Sequence, residues 1–115
     1  MASLNNENLI GLYDRTEKLL GSEAMEKLKN AKVLVVGLGG VGGYIAEALA
    51  RAGVGTLGLC DFDVVDVTNL NRQMYMIPQL GKPKTEALPE ILQQINPYLD
   101  IQTKNIKVTA DNIQE

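Results

Sequence analysis

"VVGLGGVGGYIAEALARAG", residues 35–53, sets five glycines within 37–43 and runs straight into an alanine-rich amphipathic segment. The run that leads into it, "KVLVV" (32–36), is apolar and β-branched, which reads as a strand buried on both faces. Beyond the glycines, Ile45, Ala46, Ala48, Leu49 and Ala52 recur at helical spacing, and Glu47 and Arg51 form an i,i+4 pair on the outer face. Gly53 and Gly55 supply the stop. Strand, glycine turn and helix in this order form the opening unit of a parallel α/β sheet.

Gly37, Gly39 and Gly42 satisfy G-x-G-x-x-G, and Asp61 stands 19 residues beyond Gly42. Gly37 permits the tight exit from the strand, Gly39 lets backbone approach a phosphate, and Gly42 lets the helix pack closely. The helix start offers free N–H groups and a partial positive charge to an anion. Asp61 ends the second predicted strand, "TLGLC" (56–60), where a carboxylate can accept hydrogen bonds from ribose hydroxyls. NAD, FAD and ATP can all use such a loop. A G-x-x-x-x-G-K-[ST] pattern is absent, which excludes a P-loop grip on triphosphate. ATP brings about four negative charges and one helix end offers roughly half a positive charge, so ATP would need further cations.

The rest of the chain follows the same rhythm. Residues 12–29 read as helical pieces broken near Gly21-Ser22, with Ser22 a candidate cap for the second. Residues 67–80 have no clean period and read as a functional loop or short helical turns. A helix is predicted over Lys82–Ile95, buried through Ala87, Leu88, Ile91, Leu92 and Ile95, with Pro83 in its first turn and Pro89 kinking it or delaying its start. "LDIQT" (99–103) alternates as a third strand, and "TADNIQE" at the end could begin another helix. The expected fold is α/β, the N-terminal half of a Rossmann-like doubly wound parallel sheet of about three strands. Residues 1–30 form a preceding helical segment and 31–115 the nucleotide-binding domain, expected to continue into a missing C-terminal half.

Composition narrows the function. The net charge of −3 argues against bulk nucleic-acid binding, and no apolar run approaches the roughly 18 residues that span a bilayer. The start "MASLNNENL" has neither the basic nor the apolar stretch of a secretory signal. A lone cysteine, Cys60, fits a reducing, cytoplasmic setting and reads as a core thiol. With no histidine, a Ser-His or Cys-His pair and a structural zinc site are unavailable within these 115 residues.

The deciding segment is "DFDVVDVTNLNRQ" (61–73) followed by "GKPK" (81–84). A dehydrogenase has no evident need for Asn69, Asn71, Arg72 and Gln73 just past its ribose-binding acid. An ATP enzyme does: Arg72 can fork onto phosphate oxygens, Asn69 can orient sugar or phosphate, and Lys84 is a point charge near a helix start.

These residues, together with "YDRTEKLLG" and "LKNAKVLVVGLGGVGGYIAEALARAGVG", resemble the ThiF/MoeB/HesA family, relatives of the ubiquitin-activating enzymes, from about Leu12 to Asp100. The resemblance implies ATP-dependent adenylation of a carboxylate, in most members the C-terminal glycine of a ubiquitin-like sulfur carrier. It implies nucleotide contacts from Gly37, Gly39, Gly40, Gly42, Asp61, Asp63, Asn69, Arg72, Gln73 and Lys84, with Arg72 and Lys84 stabilising charge during attack on the α-phosphate. Arg15 matches an arginine that family homodimers insert into the partner's ATP site. The glycine segment looks like the tRNA threonylcarbamoyl-adenosine dehydratases, whereas residues 61–84 look closer to the thiamine-pathway members; these line the active site and favour the sulfur-carrier reading over tRNA. The family's magnesium-binding aspartate and its crossover loop, often with a catalytic cysteine, fall after residue 115, so Mg2+ is expected to be held outside this chain and adenylation by the chain alone to be slow or absent. An NAD(P)- or FAD-binding oxidoreductase fragment and a non-catalytic dimerisation module are the competing readings.

Overall fold

The structure, a computed structural model, describes residues 11–112. The order is α1 (Asp14–Leu20), α2 (Ser22–Asn30), β1 (Lys32–Val36), α3 (Gly40–Ala52), β2 (Thr56–Cys60), two single 3-10 turns (Val67–Asn69 and Ile77–Gln79), α4 (Lys84–Ile95) and β3 (Asp100–Lys104). The three strands form one parallel sheet in the order β1-β2-β3, with Val36 opposite Cys60 and Cys60 opposite Lys104. This is the expected half of a doubly wound sheet. The first ten residues of the expected 1–30 segment, including the start read as no signal, and residues 113–115 lie outside the described part.

Helices α3 and α4 pack against each other and against β1 and β3. Between them and the sheet sits the core: Val35, Leu38, Ala46, Ala50, Leu57, Leu59, Leu88 and Leu92 with Val65 and Tyr75. Alanines at 46 and 50 let α3 approach closely, and Gly53 caps it in the left-handed region at φ 101°. Asn96, buried at the end of α4, donates Nδ2 to the Ala50 carbonyl at 3.0 Å and so joins the two helix ends.

Four local expectations need correction. β1 is covered on one face only: Leu34 is 65% and Val36 54% exposed, because both crossover helices lie on the opposite face. On α3 the buried stripe runs through Gly43, Ala46 and Ala50, while Ile45 is exposed. Gly21, not Ser22, precedes α2 as its cap residue; Ser22 Oγ donates to Glu17 Oε1 at 3.4 Å. α4 begins at Lys84 rather than Lys82, since a residue before proline is pushed out of helical space and Lys82 instead accepts the Val65 N–H at 2.8 Å. Pro89 is carried inside a continuous α4. At the tail, Thr109–Asn112 makes a turn closed by the Asn112 N–H to the Thr109 carbonyl at 3.2 Å.

Candidate functional site

The site begins at the carboxyl end of β1. Gly37 leaves the strand at φ 86°, a conformation that costs other residues strain, and donates its N–H to the Cys60 carbonyl at 2.8 Å. Gly42 then folds back on it: a methyl group there would stand 1.7 Å from the Gly37 oxygen. Gly42 therefore closes the loop onto its own backbone, a tighter demand than helix-to-sheet packing. The N–H groups of the first turn of α3 have no intrahelical acceptor. Around Gly40 a side chain would meet nothing within 4 Å, so that face of the turn is open.

Asp61 is buried, and its carboxylate is already engaged. Oδ2 accepts the Leu38 N–H at 2.6 Å, and Oδ1 accepts the Phe62 and Asp63 N–H groups at 2.6 and 2.8 Å. Its first task is to tie the end of β2 to the glycine loop; a carboxylate's four lone-pair sites leave room for one further donor. Asp63 is exposed, and its carbonyl accepts the Lys84 N–H at 3.0 Å. Residues 63–65 run antiparallel to 81–84, with a bridge between Val64 and Pro83, and this pairing carries Lys84 to the site.

The polar segment 66–73 is a compact scaffold. Asn69 Oδ1 accepts the Asp66 N–H at 3.0 Å while Asp66 Oδ1 accepts the Thr68 N–H at 3.4 Å, a reciprocal cap on the first 3-10 turn. Arg72 is exposed and donates Nη1 to the Thr68 carbonyl at 3.0 Å and to Asn71 Oδ1 at 2.9 Å. Gln73 is buried against the loop, with Nε2 3.6 Å from where a Gly39 methyl would stand, and its Oε1 has no hydrogen-bond partner. Such an orphaned buried acceptor is costly unless a ligand or water completes it.

Lys84 is only 4% exposed, and its Nζ lies 5.9 Å from the centroid of the Tyr75 ring. Among the described residues it has no ion pair. Tyr75, also buried, donates its hydroxyl to the Leu38 carbonyl at 2.6 Å. Burial, and secondarily the Asp61 carboxylate, push the Tyr75 phenol well above its usual value, so it remains a donor at ordinary pH. Tyr75, Asp66 and Leu38 were not singled out in the sequence. The D-x-x-N spacing of "DVTN" (66–69) could have exposed the cap; nothing local marks Tyr75 beyond its being the one aromatic in 67–80.

A pH dependence follows. The unfolded tyrosine loses its proton near pH 10 while the buried Tyr75 keeps it, so only the unfolded state gains by ionisation as pH rises. Tyr75's contribution to stability is full below about pH 10 and declines above it. Tyr13, raised by burial first, adds with the same sign. Urea melts on either side of pH 10 should show a lower midpoint on the alkaline side, and Tyr75→Phe should shrink the difference.

Arg15 is placed elsewhere. It lies exposed on α1, beside Tyr13, whose ring packs against Gly53 at the far end of α3 from the glycine loop. The structure thus brings the glycine loop, Asp61, Gln73 and Lys84 together, sets Asn69 and Arg72 on the adjoining scaffold, and keeps Arg15 away from its own loop. These residues do not form a magnesium cage: Asp61 spends both oxygens on N–H groups, and the described residues hold no cluster of three His, Cys, Asp or Glu side chains.

Fold and site together define a Rossmann-like α/β protein with a glycine turn at the amino end of α3, flanked by a largely buried lysine that forms no ion pair among the described residues. The chain belongs to the ThiF family, whose model matches residues 13–115. It is 39% identical over 104 residues to the tRNA threonylcarbamoyladenosine dehydratase of Bacillus subtilis, a match covering 90% of this chain and 41% of that protein. It is 43% identical over 114 residues to the molybdopterin-synthase adenylyltransferase of Salmonella typhimurium, covering 96% and 45%. The crystal structure of the Escherichia coli tRNA N6-threonylcarbamoyladenosine dehydratase in complex with ATP matches with a TM-score of 0.87 at 38% identity, over 96% of this chain and 46% of that one. The chain spans less than half the length of each. The family resemblance and the fold read from the sequence are borne out.

Proposed function

We propose that this chain holds the nucleotide of an ATP-dependent enzyme that adenylates a carboxylate, most specifically the C-terminal glycine of a ubiquitin-like sulfur carrier, in the cytoplasm. The observation that carries this reading is the Gln73 Oε1 beside the glycine turn, buried and without a donor, with the largely buried Lys84 side chain, which forms no ion pair among the described residues, close by. Groups of this kind are expensive in a resting core and are retained where a ligand completes them. The α3 amino end and the glycine N–H groups hold phosphate oxygens. Lys84 and Arg72 offset their charge, and Asp61 and Asp63 face the ribose. The substrate carboxylate attacks the α-phosphorus, the bond to the bridging oxygen breaks, and pyrophosphate leaves with its charge met by the same cations. Arg15 serves the neighbouring site in a homodimer, in keeping with its distance from its own loop. Magnesium, where bound, would add charge stabilisation.

A second reading, activation of a carboxylate on a modified tRNA base, is favoured by the likeness to the dehydratases of B. subtilis and E. coli. Calorimetric titration tests the shared core of both: ATP binds the chain more tightly than NADH, and Arg72→Ala weakens ATP about tenfold or more. Tighter binding of NADH would promote the oxidoreductase reading, and binding of neither nucleotide the dimerisation module. Pyrophosphate exchange dependent on a carrier ending in Gly-Gly, rather than on tRNA, separates the two substrates.

A further inference from the structure

We infer that Tyr75 is a positioning residue that sets the direction of the Gly39 N–H and the placement of Lys84 through one side chain. The inference rests on the nucleotide reading above. The Leu38 residue is held from both sides: its N–H goes to Asp61 Oδ2 at 2.6 Å and its carbonyl accepts the Tyr75 hydroxyl at 2.6 Å. A trans peptide is planar, so the Leu38 carbonyl and the Gly39 N–H point in opposite directions. Pinning the carbonyl inward on Tyr75 therefore turns the Gly39 N–H outward, toward the open side of the loop where a phosphate would lie.

Gly39 makes this clamp necessary. The 38–39 peptide turns through ψ of Leu38 and φ of Gly39, and the glycine places no side-chain restriction on its half of that rotation, so the polar groups of the peptide must be fixed by partners. Leu38 supplies bulk, being fully buried, and Tyr75 and Asp61 supply direction. The face of the same tyrosine ring lies under the Lys84 ammonium at 5.9 Å, so one residue sets both the neutral donor and the cation. The elevated phenol value is consistent with a hydroxyl committed to donation, and Asp61 is the charged group nearest in influence.

Tyr75→Phe keeps the ring under Lys84 and deletes only the donor. In the nucleotide-free chain, hydrogen exchange at the Leu38 amide should then speed up about tenfold relative to the Leu57 and Leu59 amides of β2. ATP should bind roughly tenfold more weakly while adenosine, which has no phosphate, is unaffected. An unchanged Leu38-to-β2 exchange ratio, or equal weakening of ATP and adenosine, overturns the inference and leaves Tyr75 a packing residue. If the unaltered chain binds no ATP, the nucleotide reading fails on its own, and the exchange ratio still decides whether the clamp exists. Should the variant not fold, NMR of the unaltered chain decides instead: the Tyr75 hydroxyl proton, committed to the Leu38 carbonyl, must be resolved and slow to exchange with water, and a hydroxyl in fast exchange refutes the clamp.

Discussion

Gly42→Ala is expected to be among the most damaging single substitutions in the described residues. The added methyl would lie 1.7 Å from the Gly37 oxygen and 2.8 Å from its carbonyl carbon, and both are backbone atoms that no rotamer change can move. Relief requires the helix to retreat from the strand exit, which breaks the loop geometry and unseats Leu38 from its buried position. Overpacking of this kind costs on the order of 3 kcal/mol or more, a large share of a small domain's stability. A fall in Tm of roughly 10–20 °C, or failure to fold, is the expected outcome by thermal melting. Gly40→Ala is the matched control: it lies in the same loop, has ordinary φ, and meets nothing within 4 Å, so its Tm should be unchanged or slightly raised. Equal melting of the two variants would mean that the loop has room that its close approach denies.

The second large effect has opposite signs in two assays. Lys84 is the first residue of α4, where the helix end carries partial positive charge, and its largely buried side chain has no ion-pair partner among the described residues. Both facts argue that its ammonium destabilises the resting fold; only its contact with the Tyr75 ring, worth about 0.5–2 kcal/mol, opposes this. Lys84→Met keeps the length and removes the charge. Stability should hold or rise in urea melts, whereas ATP affinity should fall about tenfold to a hundredfold as a charge-assisted contact is lost. A variant that melts early and binds ATP normally would show that Lys84 is a structural residue and that the phosphate charge is met elsewhere.

Much of this was legible in the one-dimensional pattern, for identifiable reasons. The glycine turn announces itself because positive φ and close backbone approach admit no other residue, and Gly37 and Gly42 meet one demand each. Strand and helix periods, the Gly53 stop and the α4 stripe are local properties that spacing reports directly. The cluster of polar residues near the loop was also visible, because Asn69, Arg72, Gln73 and Lys84 are unusual company for an α/β core. The expectation that β1 is buried on both faces failed because its composition describes a strand suited to such burial, whereas coverage depends on where the crossover helices fall.

The sequence by itself determined the α/β class, the family and which polar groups stand near the glycine loop in the chain, since each follows from residue type at short range. Only the tertiary structure decided how those groups are used. It gave Asp61 a backbone-tying role, Asn69 a capping role and Gln73 an unfilled acceptor, and it joined Tyr75 to Leu38 across 37 positions of chain. Hydrogen bonds between residues so far apart leave no periodic trace, because they are made by the packing of β1, β2 and the loop at one end of the sheet and by nothing in the neighbouring sequence.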